Sequence, residues 1–158
     1  MRSAGLTALL VLVLDLLTKH LALQRLPPGR PVHVIDGFFS LTLVMNPGLA
    51  FGMLAGTPAG WRWLVAVLSI GALAVLAVVG LRMLPTGGRL TPLALGLIFG
   101  GAVGNLIDRA RFGAVVDFLD FYWRGYHWPA FNVADASISV GVVVLALRML
   151  SAPASASR

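Results

Sequence analysis

Asp117 and Asp135 are acids set in apolar surroundings. The first breaks Ala114-Val115-Val116-Asp117-Phe118-Leu119, and the second enters Phe131-Asn132-Val133-Ala134-Asp135 at the head of an apolar run. A carboxylate in such company is costly, and beside a membrane it is a candidate for function. Two carboxylates a few ångströms apart cannot both ionise easily and share one proton near neutral pH. That pairing suits hydrolysis: one carboxylate takes a proton from water while the other hydrogen-bonds a substrate carbonyl. Asn132 stands where a helix N-cap belongs. Asp135 then falls in the first helical turn, where the helix dipole favours acids.

Other residues shape the surroundings of this pair. Asp15 and Lys19 are four apart and share a helix face, as an internal ion pair would. Gly96, Gly100 and Gly104 recur every fourth residue, a spacing that lets helices approach closely, and Asp108 continues the row toward the bundle interior. Arg109 follows at the helix end, where a cation is favoured. Asn105 lies on the turn before. Asn46-Pro47-Gly48-Leu49-Ala50-Phe51-Gly52 is a Gly-rich loop that could let a substrate backbone come close at Asn46, Gly48 and Ala50. Asp36-Gly37 reads as the turn of a hairpin between Val32–Ile35 and Phe38–Val44. Asp120 reads as a strand residue turned to water. His20, His33 and His127 show no metal-ligand spacing, so neither metal nor other cofactor is expected.

The elements that position these residues are membrane elements. The chain has 158 residues, 58% hydrophobic and only 11% charged, with mean hydropathy +0.90. A water-soluble domain carries roughly a quarter charged residues. All six acids are Asp, and cysteine is absent, which excludes disulfides and thiolate chemistry. The net charge of +6 is spread around apolar spans, which fits lipid headgroups better than nucleic acid.

The 19 residues Trp63–Leu81 and the 18 residues Leu90–Ile107 carry no charge and are long enough to cross a bilayer. A first span is placed at about 6–26, the second at 61–84, the third at 90–109 and a fourth at 133–150. No small-x-small cleavage pattern follows the first span, which argues against a cleaved leader. Residues 32–58 are expected to be β-rich and 119–130 to lie at the interface. The single domain then ends at 150, with 151–158 a disordered tail. Four spans put both termini on one side and all six Asp on the other half of the molecule. Arginines tie between the two sides, so charge alone does not orient the chain. Trp61, Trp63, Tyr122, Trp123, Tyr126 and Trp128 fit an interfacial aromatic belt.

Taken together, Asp15 with Lys19, Asn46-Pro47-Gly48-Leu49-Ala50-Phe51, Gly104-Asn105-Leu106-Ile107-Asp108-Arg109, Val116-Asp117-Phe118 and Phe131-Asn132-Val133-Ala134-Asp135 resemble lipoprotein signal peptidase (signal peptidase II). The resemblance covers nearly the whole chain. It implies an all-α integral membrane protein of four helices, with a small periplasmic β-cradle and a short interfacial helix. It implies an aspartyl endopeptidase of the bacterial inner membrane, with Asp117 and Asp135 as the catalytic pair. The implied substrate is a diacylglyceryl-modified prolipoprotein, cut just before the lipidated cysteine. Both termini would be cytoplasmic, with the site toward the outer face. The expected partners are substrate and membrane lipids, with no nucleic acid, and the expected state is a monomer. The competing reading is a small proton-coupled transporter or channel subunit, in which carboxylates would spread through the membrane depth.

Overall fold

The structure is a computed structural model, and it describes residues 2–48, 67, 71, 74, 75, 78, 80, 82, 88 and 90–151. Three helices are described in full: α1 (Arg2–Arg25), α2 (Leu90–Phe112) and α3 (Val133–Ser151). Their positions in the chain match those given to the first, third and fourth segments, with α1 beginning four residues earlier and α2 running three residues later. Among the described residues α1 and α2 are long and apolar enough to cross a membrane. Most of the second span lies outside the described residues, although Val67, Gly71, Ala74, Val75, Val78, Gly80 and Arg82 are helical. Ala50, the rest of the segment 49–58 and the tail 152–158 also lie outside them.

Helix α2 is the central element, packed on α1 along one side and on α3 along another. The glycine row explains the first contact. A Cβ at Gly96 would stand 2.6 Å from the Ala4 carbonyl oxygen, and one at Gly100 2.5 Å from that of Ala8. One at Gly104 would collide with the Asp15 carboxylate. Gly101 and Gly141 play the same part between α2 and α3, against Ala134 and against Ile98 with the Ala94 carbonyl. Without a water-driven hydrophobic effect between spans, such close packing is what holds helices together. Ala94, Leu95, Ile98 and Leu145 fill the interface. The outer flank of α1 exposes Leu6, Leu9, Leu10, Val13, Leu14, Leu17 and Leu21, an apolar surface suited to lipid.

A four-stranded antiparallel sheet, in the order β1-β2-β3-β4, is built from β1 (Val32–Ile35), β2 (Phe39–Asn46), β3 (Val115–Trp123) and β4 (Tyr126–His127). The Asp36-Gly37 turn forms as expected, with Gly37 at φ 75. Two expectations are corrected. The fold is not all-α, and residues 119–130 hold no helix; they form the end of β3, a tight turn, β4 and an extended stretch. The reason is local. β-Branched and aromatic residues dominate Val115–Trp123, and the turn Arg124-Gly125 has φ 50 and 83, positive at both positions as a two-residue type I′ hairpin requires.

A bulge in β2 matters for the site. Leu41 pairs with Leu119, but Val44, not residue 43, pairs with Asp117. The extra residue reverses the side-chain alternation beyond it. Asn46, opposite Val115, is thereby turned onto the same face as Asp117.

Candidate active site

The site lies where the start of β3, the end of β2 and the N-terminus of α3 meet the last turns of α2. Asp117 is buried in β3, at 1% exposure. Asn132 Nδ2 donates to its Oδ1 at 2.7 Å, and Asn46 Nδ2 donates to its Oδ2 at 2.9 Å. Burial pushes the Asp117 carboxyl up to about 7, the nearby charge of Asp135 adds to that rise, and the two Asn donors work against it.

Asp135 sits in the first turn of α3, as expected. Asn132 caps this helix, its Oδ1 accepting the Asp135 backbone N–H at 2.9 Å. The carboxylate is held from the other side by Asn105, whose Nδ2 donates to Asp135 Oδ1 at 2.8 Å. Asn132 therefore touches both acids, with its amide nitrogen on one side chain and its carbonyl on the backbone of the other.

Below this pair lies an ion cluster. Lys19 Nζ stands 2.8 Å from Asp15 Oδ2 and 2.9 Å from Asp108 Oδ2, all three side chains almost fully buried. It also donates to Asn105 Oδ1 at 2.9 Å. The two acids accept from backbone as well. Asp108 Oδ2 accepts the Val116 N–H at 3.1 Å, and Asp15 Oδ1 accepts the Ala134 N–H at 2.9 Å. Val116 and Ala134 are the residues immediately before Asp117 and Asp135. Each structural carboxylate thus fixes the backbone one step ahead of a candidate catalytic one. The Ala134 bond also satisfies one of the orphan donors at the start of α3.

Asn46 and Gly48 are both placed at the site. Asn46 Oδ1 accepts the Gly48 N–H at 3.0 Å, an Asx turn that aims its Nδ2 at Asp117. The Gly48 carbonyl accepts from Arg109 Nη2 at 3.0 Å, tying the loop to α2. Every candidate site residue within the described region, Asp15, Lys19, Asn46, Gly48, Asn105, Asp108, Arg109, Asn132, Asp117 and Asp135, belongs to this one network.

Asp120 departs from expectation. It is 6% exposed and not turned to water. It accepts from Thr42 Oγ1 at 3.2 Å and stands 2.9 Å from His127 Nδ1, joining β2, β3 and β4. His33 and His127 likewise sit in strands, His33 beside Ser40 Oγ at 2.9 Å. The sequence signal for this cluster was the alternation Asp120-Phe121-Tyr122, which puts Asp120 and Tyr122 on one strand face, where Tyr122 stacks on His127.

Comparison with known proteins identifies the family. The family model for Signal peptidase (SPase) II matches residues 7–151. The lipoprotein signal peptidase of Geobacter sulfurreducens is 50% identical over 139 residues, spanning 88% of this chain and 86% of that protein. That of Cupriavidus necator is 50% identical over 140 residues, spanning 87% of this chain and 77% of that protein. A solved bacterial membrane enzyme superimposes with a TM-score of 0.77 at 29% identity, covering 100% of this chain and 95% of the other. A second gives 0.76 at 30% identity, with 96% and 95% covered. With the match running over nearly the whole length, the chain belongs to the signal peptidase II family.

Proposed function

We propose that this membrane protease removes signal peptides from diacylglyceryl-modified prolipoproteins by an aspartyl mechanism, with Asp117 and Asp135 as the catalytic pair. Asp117, its carboxyl raised to about 7, carries the shared proton and donates it as a hydrogen bond to the scissile carbonyl. Asp135 accepts a proton from the attacking water. The tetrahedral intermediate then collapses as the leaving amine takes up a proton, and the peptide before the lipidated cysteine departs. Asn132 and Asn105 keep the two carboxylates oriented, and Asn46 links Asp117 to the Gly48 loop.

The observation that carries this reading is the double role of Asn132, which bonds the side chain of one acid and caps the helix bearing the other. The acids gather in one cluster, which favours hydrolysis over a proton path through the membrane depth. We further read the chain as four spans in the bacterial inner membrane, both termini cytoplasmic and the site toward the outer face. In this reading the enzyme is a monomer, and its partners are its lipidated substrate and the surrounding lipid. The test is cleavage of a lipidated prolipoprotein beside its unlipidated form by the purified protein. Cleavage of the lipidated form alone supports the proposal; equal cleavage of both removes the lipid requirement, and cleavage of neither removes the activity.

A further inference from the structure

The sheet that carries Asp117 has two unlike faces. Side chains alternate along the outer part of β3, so Leu119, Phe121 and Trp123 share one face. Phe39 pairs with Phe121 across β2 and stacks on its ring, and Tyr126 pairs with Trp123 across the hairpin. Trp128 lies opposite Phe121, its N–H donating to the Phe121 carbonyl at 2.8 Å. The other face is polar: Ser40, Thr42, Asp120, Tyr122 and His127 are joined there by hydrogen bonds or ring stacking. On the aromatic face exposure grows toward the tip, with Trp123 64%, Tyr126 84% and Trp128 57% exposed.

Large exposed aromatics of this kind are costly in water. Trp and Tyr, each with an apolar body and a polar handle, are the residue types that settle at headgroup depth, unlike the aliphatic flank of α1. Arg124 at the tip has its guanidinium carbon 5.8 Å from the Trp123 ring centre and makes no ion pair among the described residues. A second pair, Arg111 over Phe112 at 4.9 Å, marks the end of α2. Arginine beside aromatics at the end of a span matches the chemistry of a phosphate-bearing lipid surface.

We propose that the aromatic face of the β3–β4 hairpin, Trp123, Tyr126 and Trp128 with Arg124 at its tip, seats in the headgroup layer of the phospholipid bilayer and sets the depth of Asp117. The strand makes the link: five residues of β3 separate Trp123 from Asp117, a span of roughly 20 Å. The proposal rests on the reading of the helices as membrane spans, and its readout is independent of catalysis, so its failure leaves the protease assignment standing.

The test reconstitutes the full chain, with Trp61, Trp63 and Trp128 replaced by Phe, into vesicles of phosphatidylcholine and phosphatidylglycerol. Trp123 fluorescence is then quenched with a headgroup nitroxide lipid, with lipids brominated in mid-chain, or with aqueous iodide. The expected result is quenching by the headgroup probe about twofold stronger than by the mid-chain probe, with little iodide effect. Omitting phosphatidylglycerol, or Arg124→Glu in its presence, is expected to weaken the headgroup quenching. Strong iodide quenching with no response to either lipid probe overturns the proposal, as does quenching strongest from mid-chain. Headgroup quenching that ignores both phosphatidylglycerol and Arg124→Glu overturns the role of the arginine.

Discussion

Asn132 donates its amide to the Asp117 carboxylate at 2.7 Å, and Val116, the residue before that acid, is itself held by Asp108. Asp117 is thus fixed both through its side chain and through its strand. It is an acid kept from water by its own fold, yet offered two donors that stabilise its charge. Such a balance tunes a carboxyl to change protonation near neutrality, where proton-transfer chemistry is most useful.

A pH dependence follows. With Asp117 raised to about 7, the protonated form is lost as pH rises through that value, so kcat/KM declines on the alkaline side of about 7. Asn46→Ala removes a donor that favours the ionised form. The alkaline limb is expected to move up by about one pH unit, a hydrogen bond to a charged group being worth on the order of 1.4 kcal/mol. The sign for stability is the matching one. A carboxyl raised in the folded state contributes stability below its unfolded value of 3.8, and that contribution is lost as pH rises through about 7. Asp117→Asn should therefore gain in Tm relative to the wild type as pH goes from acid to alkaline. A limb that Asn46→Ala leaves in place argues against Asp117 as its source.

Lys19 pairs with two buried carboxylates at once. Lys19→Met leaves Asp15 and Asp108 without a counter-charge, a change that costs about 3–5 kcal/mol when a buried pair is broken. Loss of folded protein on size-exclusion chromatography is the expected outcome, with activity falling in step. Asp108→Asn should also lower folded yield along with activity. A well-folded but inactive Asp108→Asn variant would move that residue into the chemistry.

The glycine row gives a graded packing test. Gly100→Val places atoms against the Ala8 carbonyl and the Val11 side chain, and backbone cannot yield cheaply. Overpacking of this kind costs about 1–3 kcal/mol or more. Gly5→Ala, with nothing within 4 Å of the added methyl, should match or slightly exceed the wild type in Tm. Equal Tm values for the two variants would argue against close approach of α1 and α2.

Asp36 occupies the β1–β2 turn, away from the acid pair. Asp36→Asn is expected to keep most of the activity, since Asn suits such a turn as well as Asp does. A steady-state cleavage rate far below wild type would give that turn a functional part.

The site was legible in the sequence because its residues break local rules. Asp15, Lys19, Asp108, Asp117 and Asp135 are charges in apolar runs, and only a shared interior relieves all of them. Helix α2 was legible from uncharged length, and α1 and α3 from apolar runs that charged residues enter. Less legible was what depends on partners far along the chain. Asn46 reaches Asp117 only through a bulge that no residue type in Leu41–Val44 announces. The β3–β4 hairpin turns on Arg124-Gly125, a weaker signal than Asn-Gly or Asp-Gly, so aromatic content suggested only an interfacial segment, and the helix came from the family resemblance. Asp120 is buried by neighbours from β2 and β4, which period-two alternation alone does not reveal.

The most direct test of the central claim is the cleavage rate of a lipidated prolipoprotein by Asp117→Asn, Asp135→Asn and the double variant, each shown to be folded. If the two acids act as one unit, each single change lowers kcat by at least about 100-fold, and the double variant loses little more. Substantial turnover by either folded single variant, or losses that multiply in the double, would contradict a shared-proton mechanism.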